Sequence, residues 1–395
     1  MADMADGLPV SERMERRTAI LLLTSSVTGA LAAGCGSPNA GDSAASKSAD
    51  GVSAPLRVFL VGNQPDAEAI QMTWSMTMEQ PLAIDLVAPD QEGETDSMTK
   101  RMTLADVAIL PQSMLGGMEQ SEQVVPISDD VLDSFQRNYG KPFPAVAEGL
   151  GSYGGETLAV AVGAKLFALL ALDSDPHCET WSEYHQWVAD LQGNAAEPLA
   201  TGWAAVSFLH RCASTISGGW LFDQVTMDPI INGPQYVSVL EQMAATAKLY
   251  KSEPKDPGEI WRAIRLGQLR GGIGYEVPEK TSFTGESNKA DPSARENQTI
   301  EESERFDISV FNCPLETDTD RVWFGPRTPV ASISIGCRQT DASKRFIGWL
   351  TGGERIPLLR QQTARFSKTR LDDNRESSSS ASGYARWLAG RLETP

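Results

Sequence analysis

Catalytic chemistry has little to work with in this sequence. It holds three histidines, His177, His185 and His210, and none belongs to a GxSxG, HExxH or Ser-His-Asp arrangement. His210 and Cys212 are two apart on a predicted helix, so they do not face each other. Asp129-Asp130 and Asp372-Asp373 are adjacent pairs whose side chains point apart, so they cannot flank one scissile bond. No CxxC spacing accompanies the histidines, and neither a metal nor another cofactor is expected. Nine tryptophans remain, together with many amide and carboxyl groups. These are tools of binding: flat rings cover apolar ligand faces, and Asp, Glu, Asn, Gln and Arg bond polar groups. The candidates are Trp203, Tyr275 and Glu276, then Gln64, Trp74 and Gln112. Trp203 follows a glycine at a predicted strand end, where cleft and core roles compete equally. Trp74 lies on an apolar helical face, which also suits the core. Trp181, Trp187, Trp349 and Trp387 read as helix packing, while Trp220 and Trp323 stay open.

The cysteines divide into one and four. Arg13, Arg16 and Arg17 precede an uncharged run, residues 18–33, and then Gly34-Cys35. A basic patch, an apolar stretch and small residues at its end describe a secretory signal. The stretch falls short of the roughly 20 apolar residues that span a bilayer. Leu31-Ala32-Ala33-Gly34-Cys35 resembles the lipobox of bacterial lipoproteins, with Ala32 where Leu is commoner, and the resemblance implies a lipid on Cys35. Residues 1–34 are then the signal, with Met14 a candidate start. Residues 35–54, rich in Gly, Ser, Ala and Asp, form a flexible tether. In an oxidising compartment Cys178, Cys212, Cys313 and Cys337 allow two disulfides. Sequence proximity pairs Cys178 with Cys212 and Cys313 with Cys337; four buried free thiols are the alternative.

A chain of 395 residues is too long for one typical core and suits two lobes. Its formal net charge of −18, without a basic patch, excludes nucleic acid as a partner. Apolar strands near 56–61, 82–87 and 105–110 alternate with helical patterns, which predicts βαβ units, a largely parallel sheet and an α/β fold. Such sheets bind ligands at the carboxyl ends of their strands. No GxGxxG or P-loop follows the first strand, so a nucleotide is not expected. The apolar run 157–172 is broken by Gly163 and Lys165, which predicts two buried strands rather than a membrane span. Thr180 and Glu183 form a predicted capping box. Helices are expected near 204–214, 233–250, 259–269 and 342–350, strands near 306–311 and 330–335, and a polar insertion over 281–305.

The order of these motifs resembles the family 1 extracellular solute-binding proteins, the sugar-type receptors of ABC importers. Pro126-Ile127-Ser128-Asp129 resembles the end of that family's early strand-and-segment unit. Tyr153-Gly154-Gly155 through Leu172 resembles its crossing from first to second lobe, although Ala159-Val160-Ala161-Val162 lacks the usual proline. Glu179-Thr180-Trp181-Ser182-Glu183 resembles a family helix start. Residues 259–278 resemble its helix, glycine-rich strand and returning hinge, with Tyr275 and Pro278. Residues 342–350, ASKRFIGWL, resemble its late helix. Together these motifs span about residues 56–355.

The resemblance implies a two-lobed, type II periplasmic binding-protein fold. Lobe one is expected to hold residues 55–160 and 275–340, and lobe two residues 161–274 and 341–395. It implies a non-enzymatic, monomeric receptor that passes a small solute, a sugar by its aromatic content, to an ABC permease, and that meets the membrane through its lipid alone. A binding fold serving as sensor or adaptor, a ferric-ion binder and a secreted glycoside-acting enzyme are the alternatives. The ferric-ion reading wants adjacent tyrosines, and the sequence has none.

Overall fold

The strand Leu56–Val61, LRVFLV, is apolar at every position but one, so both of its faces must be covered. A computed structural model shows how. It describes residues 54–88, 95–172, 175–217, 221–223, 225–278, 306–317, 322–352, 356–363, 365–371 and 382–394. The expected signal segment, Cys35, most of the tether, the polar insertion up to residue 305 and Trp220 lie outside the described residues.

The first lobe starts with β1 (Leu56–Val61), α1 (Gln64–Ser75), β2 (Leu82–Val87), α2 (Thr95–Met102) and β3 (Val107–Pro111). There follow α3 (Leu115–Gln120), β4 (Val124–Val125), α4 (Asp129–Tyr139), α5 (Pro144–Gly149), which packs against the second-lobe core, the hairpin β5 (Ser152–Tyr153) and β6 (Glu156–Thr157), and β7 (Val160–Ala161). The second lobe holds β8 (Ala168–Ala171), α6 (Trp181–Asp190), β9 (Ala195–Ala196), α7 (Ala204–Thr215), α8 (Pro234–Ala247), α9 (Pro257–Arg265), β10 (Gly271–Gly274) and β11 (Ser309–Phe311). The chain then returns as β12 (Pro329–Ser334), α10 (Thr340–Gly352) and α11 (Ile356–Gln362), and ends in α12 (Gly383–Glu393).

The first sheet runs β2-β1-β3-β12-β4, with β7 also on β12. β1 is parallel to β2 and β3, and β12 is antiparallel to its neighbours. Side chains alternate across a strand, and here that sorts the core into two layers. Leu56, Val58 and Leu60 face Ile70, Trp74, Phe346 and Trp349 on one side. Phe59 and Val61 face Met98, Met102 and Leu115 on the other. The second sheet runs β11-β8-β10-β9. Its central β10 is glycine-rich because neighbours press on it: a Cβ at Gly271 would lie 2.3 Å from the Trp187 ring, and one at Gly274 2.7 Å from the Pro257 carbonyl.

The predicted elements appear close to their expected positions, and the Thr180–Glu183 capping box forms. The run 157–172 divides into β7 in the first sheet and β8 in the second. The division of the chain between lobes needs correction. Residues 309–311, expected in lobe one, pair antiparallel with β8 in the second sheet. Most of residues 341–395, expected in lobe two, pack on lobe one: Phe346, Trp349 and Leu350 lie in the core with Trp74, and Leu359 joins them. Of that stretch, α12 packs in lobe two through Tyr384, Leu388 and Leu392. Three-residue strands and amphipathic helices suit either sheet by pattern alone, and only the fitted surfaces choose.

The four described cysteines are free thiols, which corrects both disulfide pairings. Cys313 packs in lobe two with Cys178, whereas Cys337 sits against Ser343 in lobe one. Cys212 belongs to a separate cluster with Ile216 and Tyr236. Neighbours in sequence are thus placed in different parts of the fold. Thiol titration of denatured, unreduced Cys35→Ser protein should find four reactive groups; a result of zero would restore both bridges.

Lobe two also buries an ion pair. Arg211 Nε and Nη2 donate to the Glu197 carboxylate at 2.8 and 2.7 Å, and Arg211 lies 4.0 Å from the Trp181 ring centre. Burial opposes the Arg211 charge, but Glu197 outweighs it and raises the guanidinium pKa. Breaking such a pair by removing one partner strands the other in the core. Glu197→Ala should therefore cost about 3–5 kcal/mol in urea unfolding; a loss below about 1 kcal/mol would show that water or other acceptors already satisfy Arg211.

Candidate ligand crevice between the lobes

Parallel strands of an α/β sheet release their chain at one edge, and the first candidates lie there. Gln64 and Asp66 follow β1, and Gln112 follows β3. Asp66 caps α1 reciprocally with Asn63, receiving the Asn63 N–H while its own N–H donates to Asn63 Oδ1 at 2.9 Å, and it accepts a hydrogen bond from the Thr363 hydroxyl. Gln112 is equally engaged: its Oε1 accepts the Gly151 N–H at 3.1 Å. Gln64 is exposed at the start of α1 and donates to Glu68 at 2.9 Å.

The opposite wall is aromatic. Trp203 ends the turn before α7, and Tyr275 follows β10 directly. Their ring centres are 6.2 Å apart, in an edge-on arrangement at 65°. Phe167, on the crossing between β7 and β8, stacks on Tyr275 at 6.4 Å and 18° and lies 6.2 Å from Trp203. Trp323, on the return from β11 to β12, is 6.5 Å from Phe167. All four side chains are half-buried. His210 lies behind them, 5.3 Å from Phe167 and 5.4 Å from Trp323. There a cavity of 120 Å3 is lined by Phe167, His210, Trp323, Cys313 and Trp387. Small-molecule sites start near about 300 Å3, so this cavity extends the aromatic wall and is not the whole site.

Trp203 and Tyr275 are therefore brought together. Trp74 is not: it is buried in the first-lobe core, 5.1 Å from both Phe346 and Trp349, with Nε1 donating to the Gln80 carbonyl at 2.6 Å. Its ring is spent on packing, which removes it from the candidates. Glu276 adjoins the crevice, but its carboxylate accepts the Ser382 hydroxyl at 2.6 Å and its carbonyl accepts the Lys165 ammonium. Tyr275 is not on the returning hinge, because β10 and β11 share the second sheet and the chain returns only at 322–328.

Sequence reasoning left Trp323 open and missed Phe167, Lys165 and Arg327. Lys165 Nζ lies 4.9 Å from the Tyr275 ring centre, and the Arg327 guanidinium carbon 4.9 Å from that of Trp203. The signals were a charge inside an apolar run and an aromatic-rich segment, WFGPR, before a strand. Burial sets the electrostatics of this wall. It raises the Tyr275 pKa above its ordinary value, with Asp256 adding to the effect and Arg327 and Arg365 opposing it. It lowers His210 to about 3, with Arg211 contributing, so the imidazole is neutral at physiological pH. Among the described residues no cluster of three or more His, Cys, Asp and Glu could hold a metal ion.

Two sheets, a chain that crosses between them and an aromatic crevice at the junction can be compared with known proteins. No family model matches the sequence, and no curated protein matches it. Solved structures do match. One is an ABC transporter solute-binding protein from Agrobacterium radiobacter K84 in complex with ribitol, at 16% identity and a TM-score of 0.63 over 87% of each chain. Another is an ABC transporter solute-binding protein from Agrobacterium vitis S4 with bound D-mannitol, at 14% identity and a TM-score of 0.57 over 86% of this chain and 84% of that one. A third, with acarbose, has 12% identity and a TM-score of 0.55 over 86% of this chain and 85% of that one. The chain has the solute-binding-protein fold.

In this solute-binding fold Lys165 makes stability depend on pH. Burial lowers its pKa from 10.5 to about 7, with Arg262 adding to the shift and Glu276 opposing it. The unfolded chain therefore binds the extra proton between these values, and stability should rise with pH across that window. Urea unfolding at several pH values should show wild type gaining on Lys165→Met as pH climbs from about 7 towards 10.5. Parallel pH profiles for the two proteins would mean that Lys165 stays hydrated.

Proposed function

We propose that this chain is an extracytoplasmic solute-binding protein, of the sugar-type family 1 kind, that captures a small carbohydrate or polyol for an ABC-type importer. The observation that carries this reading is the half-buried aromatic wall of Phe167, Trp203 and Tyr275, set where the lobes meet. Sugar rings and polyol chains present C–H faces that stack on aromatic rings, while their hydroxyls take amide, carboxyl and guanidinium partners. Gln64, Gln112 and Glu276 are the polar residues we assign to the rim, and Trp203 and Tyr275 to the stacking surface. A ligand that touches both lobes binds the closed form better than the open one and shifts the population towards it. The permease would read that closed form.

The ligands bound in two of the similar structures support this class of solute, since ribitol and D-mannitol are both small polyols. The chemistry of the crevice supports binding rather than turnover. Its one histidine is neutral and packed among rings, with no carboxylate beside it among the described residues. In our reading the protein is exported by residues 1–34, held at the membrane by a lipid on Cys35, and acts as a monomer. Membrane fractionation tests the anchor: Cys35→Ser should release the protein to the soluble fraction.

Thermal-shift screening against ribitol, D-mannitol, hexoses, maltose and amino acids tests the function, because a ligand specific to the native state raises Tm by mass action. A sugar or polyol should stabilise the protein. Trp203→Ala and Tyr275→Ala should each weaken that ligand about tenfold or more, equivalent to about 1.4 kcal/mol, while Trp74→Phe leaves affinity unchanged. Stabilisation by amino acids alone, or hydrolysis of a glycoside, would overturn the proposal.

A further inference from the structure

Charge is unevenly spent in this crevice. Three carboxylates lie around Tyr275, and each is engaged by the protein itself. Asp66 accepts the Thr363 hydroxyl and the Asn63 N–H. Asp256 accepts the Glu259 N–H at 2.7 Å in a capping box. Glu276 accepts the Ser382 hydroxyl at 2.6 Å. Among the cations, Lys165 is committed to the Glu276 carbonyl. Arg327 is different. Its side chain is exposed, and among the described residues it makes a ring contact with Trp203 but no hydrogen bond and no ion pair.

The backbone around Arg327 is nevertheless fixed. The Ser113 N–H donates to the Pro326 carbonyl at 3.1 Å, and the Gln112 N–H donates to the Thr328 carbonyl at 2.8 Å. These bonds attach the residue to the end of β3 in lobe one, while its guanidinium reaches the Trp203 ring of lobe two. Gly202 leaves room for it, since a Cβ there would lie 2.4 Å from Arg327 Nη2. A planar fork of donors that rests on an aromatic face, with its main chain held, is preorganised for a planar anion. A protein of net charge −18 repels anions over most of its surface, so an exposed cation beside the aromatic wall is a local exception.

We propose that the crevice selects a carboxylated sugar, an aldonate or uronate, over its neutral counterpart, with the Arg327 guanidinium on Trp203 receiving the carboxylate. This deepens the proposed function and rests on it. The sugar's C–H face would meet the aromatic wall while its carboxylate meets the adjoining guanidinium, so one ligand would use both surfaces.

Calorimetric titration of the mature protein with paired probes tests this: ribitol against D-ribonate, D-mannitol against D-mannonate, and D-glucose against D-glucuronate. In at least one pair the acid should bind tenfold or more tightly than the neutral partner. In Arg327→Gln that preference should fall below threefold. Arg327→Lys, which keeps the charge and loses the fork, should retain an intermediate preference. Equal or tighter binding of every neutral partner would sink the inference and leave the proposed function standing. So would an acid preference that survives in Arg327→Gln. If no member of any pair binds, the inference falls, and the proposed function falls with it only if the wider sugar and polyol screen also fails.

Discussion

The fold depends on how closely the chain can pass itself between the lobes. Gly163, in the crossing between β7 and β8, is pressed against the segment that runs back after α11. A Cβ there would lie 2.4 Å from the Arg365 carbonyl and 2.8 Å from Pro329. The following residue, Ala164, donates its N–H to Ser367 Oγ at 2.6 Å and ties the two segments of this junction together. Any side chain at Gly163 would part them. Lys165 and Phe167 project from the same crossing, so the contact that joins the lobes also sets one wall of the crevice.

Each lobe holds an ion pair with a buried carboxylate within its own body. In lobe one, burial disfavours the Asp106 carboxylate, but the Arg57 guanidinium and the backbone N–H groups of Arg338 and Arg57 outweigh it and lower its pKa. In lobe two, Glu197 plays that part for Arg211. Neither pair extends into the crevice. Polar groups there are held mainly by capping and backbone contacts, which fix their positions without neutralising the Arg327 cation.

The aromatic wall assembles from parts that are remote in sequence. Phe167 comes from a crossing, Trp203 from the entry to a helix, Tyr275 from the end of a strand and Trp323 from the return. Tyr275 was legible because strand ends in α/β sheets carry ligand sites; Trp203 was expected at a strand end, but it sits in the turn before α7. Phe167 was hidden in an apolar run that reads as strand throughout, and Trp323 had no periodic context to interpret. Trp74 shows the converse: its helical face pointed to the core, and the stack with Phe346 and Trp349 places it there.

By itself the sequence determined the local elements and the class of fold. Period-two and period-3.6 apolar patterns, a capping box and a glycine break are properties of neighbouring residues, and they mark β1, α6 and the division between β7 and β8 without further information. Which lobe a short element joins was decided only by the tertiary structure. β11 pairs with β8, and α10 covers Trp74, because those surfaces fit, and fit between distant residues leaves no trace in local periodicity. The same reason separates Cys313 from Cys337 and places Arg327 on Trp203: the arginine lies 124 positions after that tryptophan, and folding alone brings them within 4.9 Å.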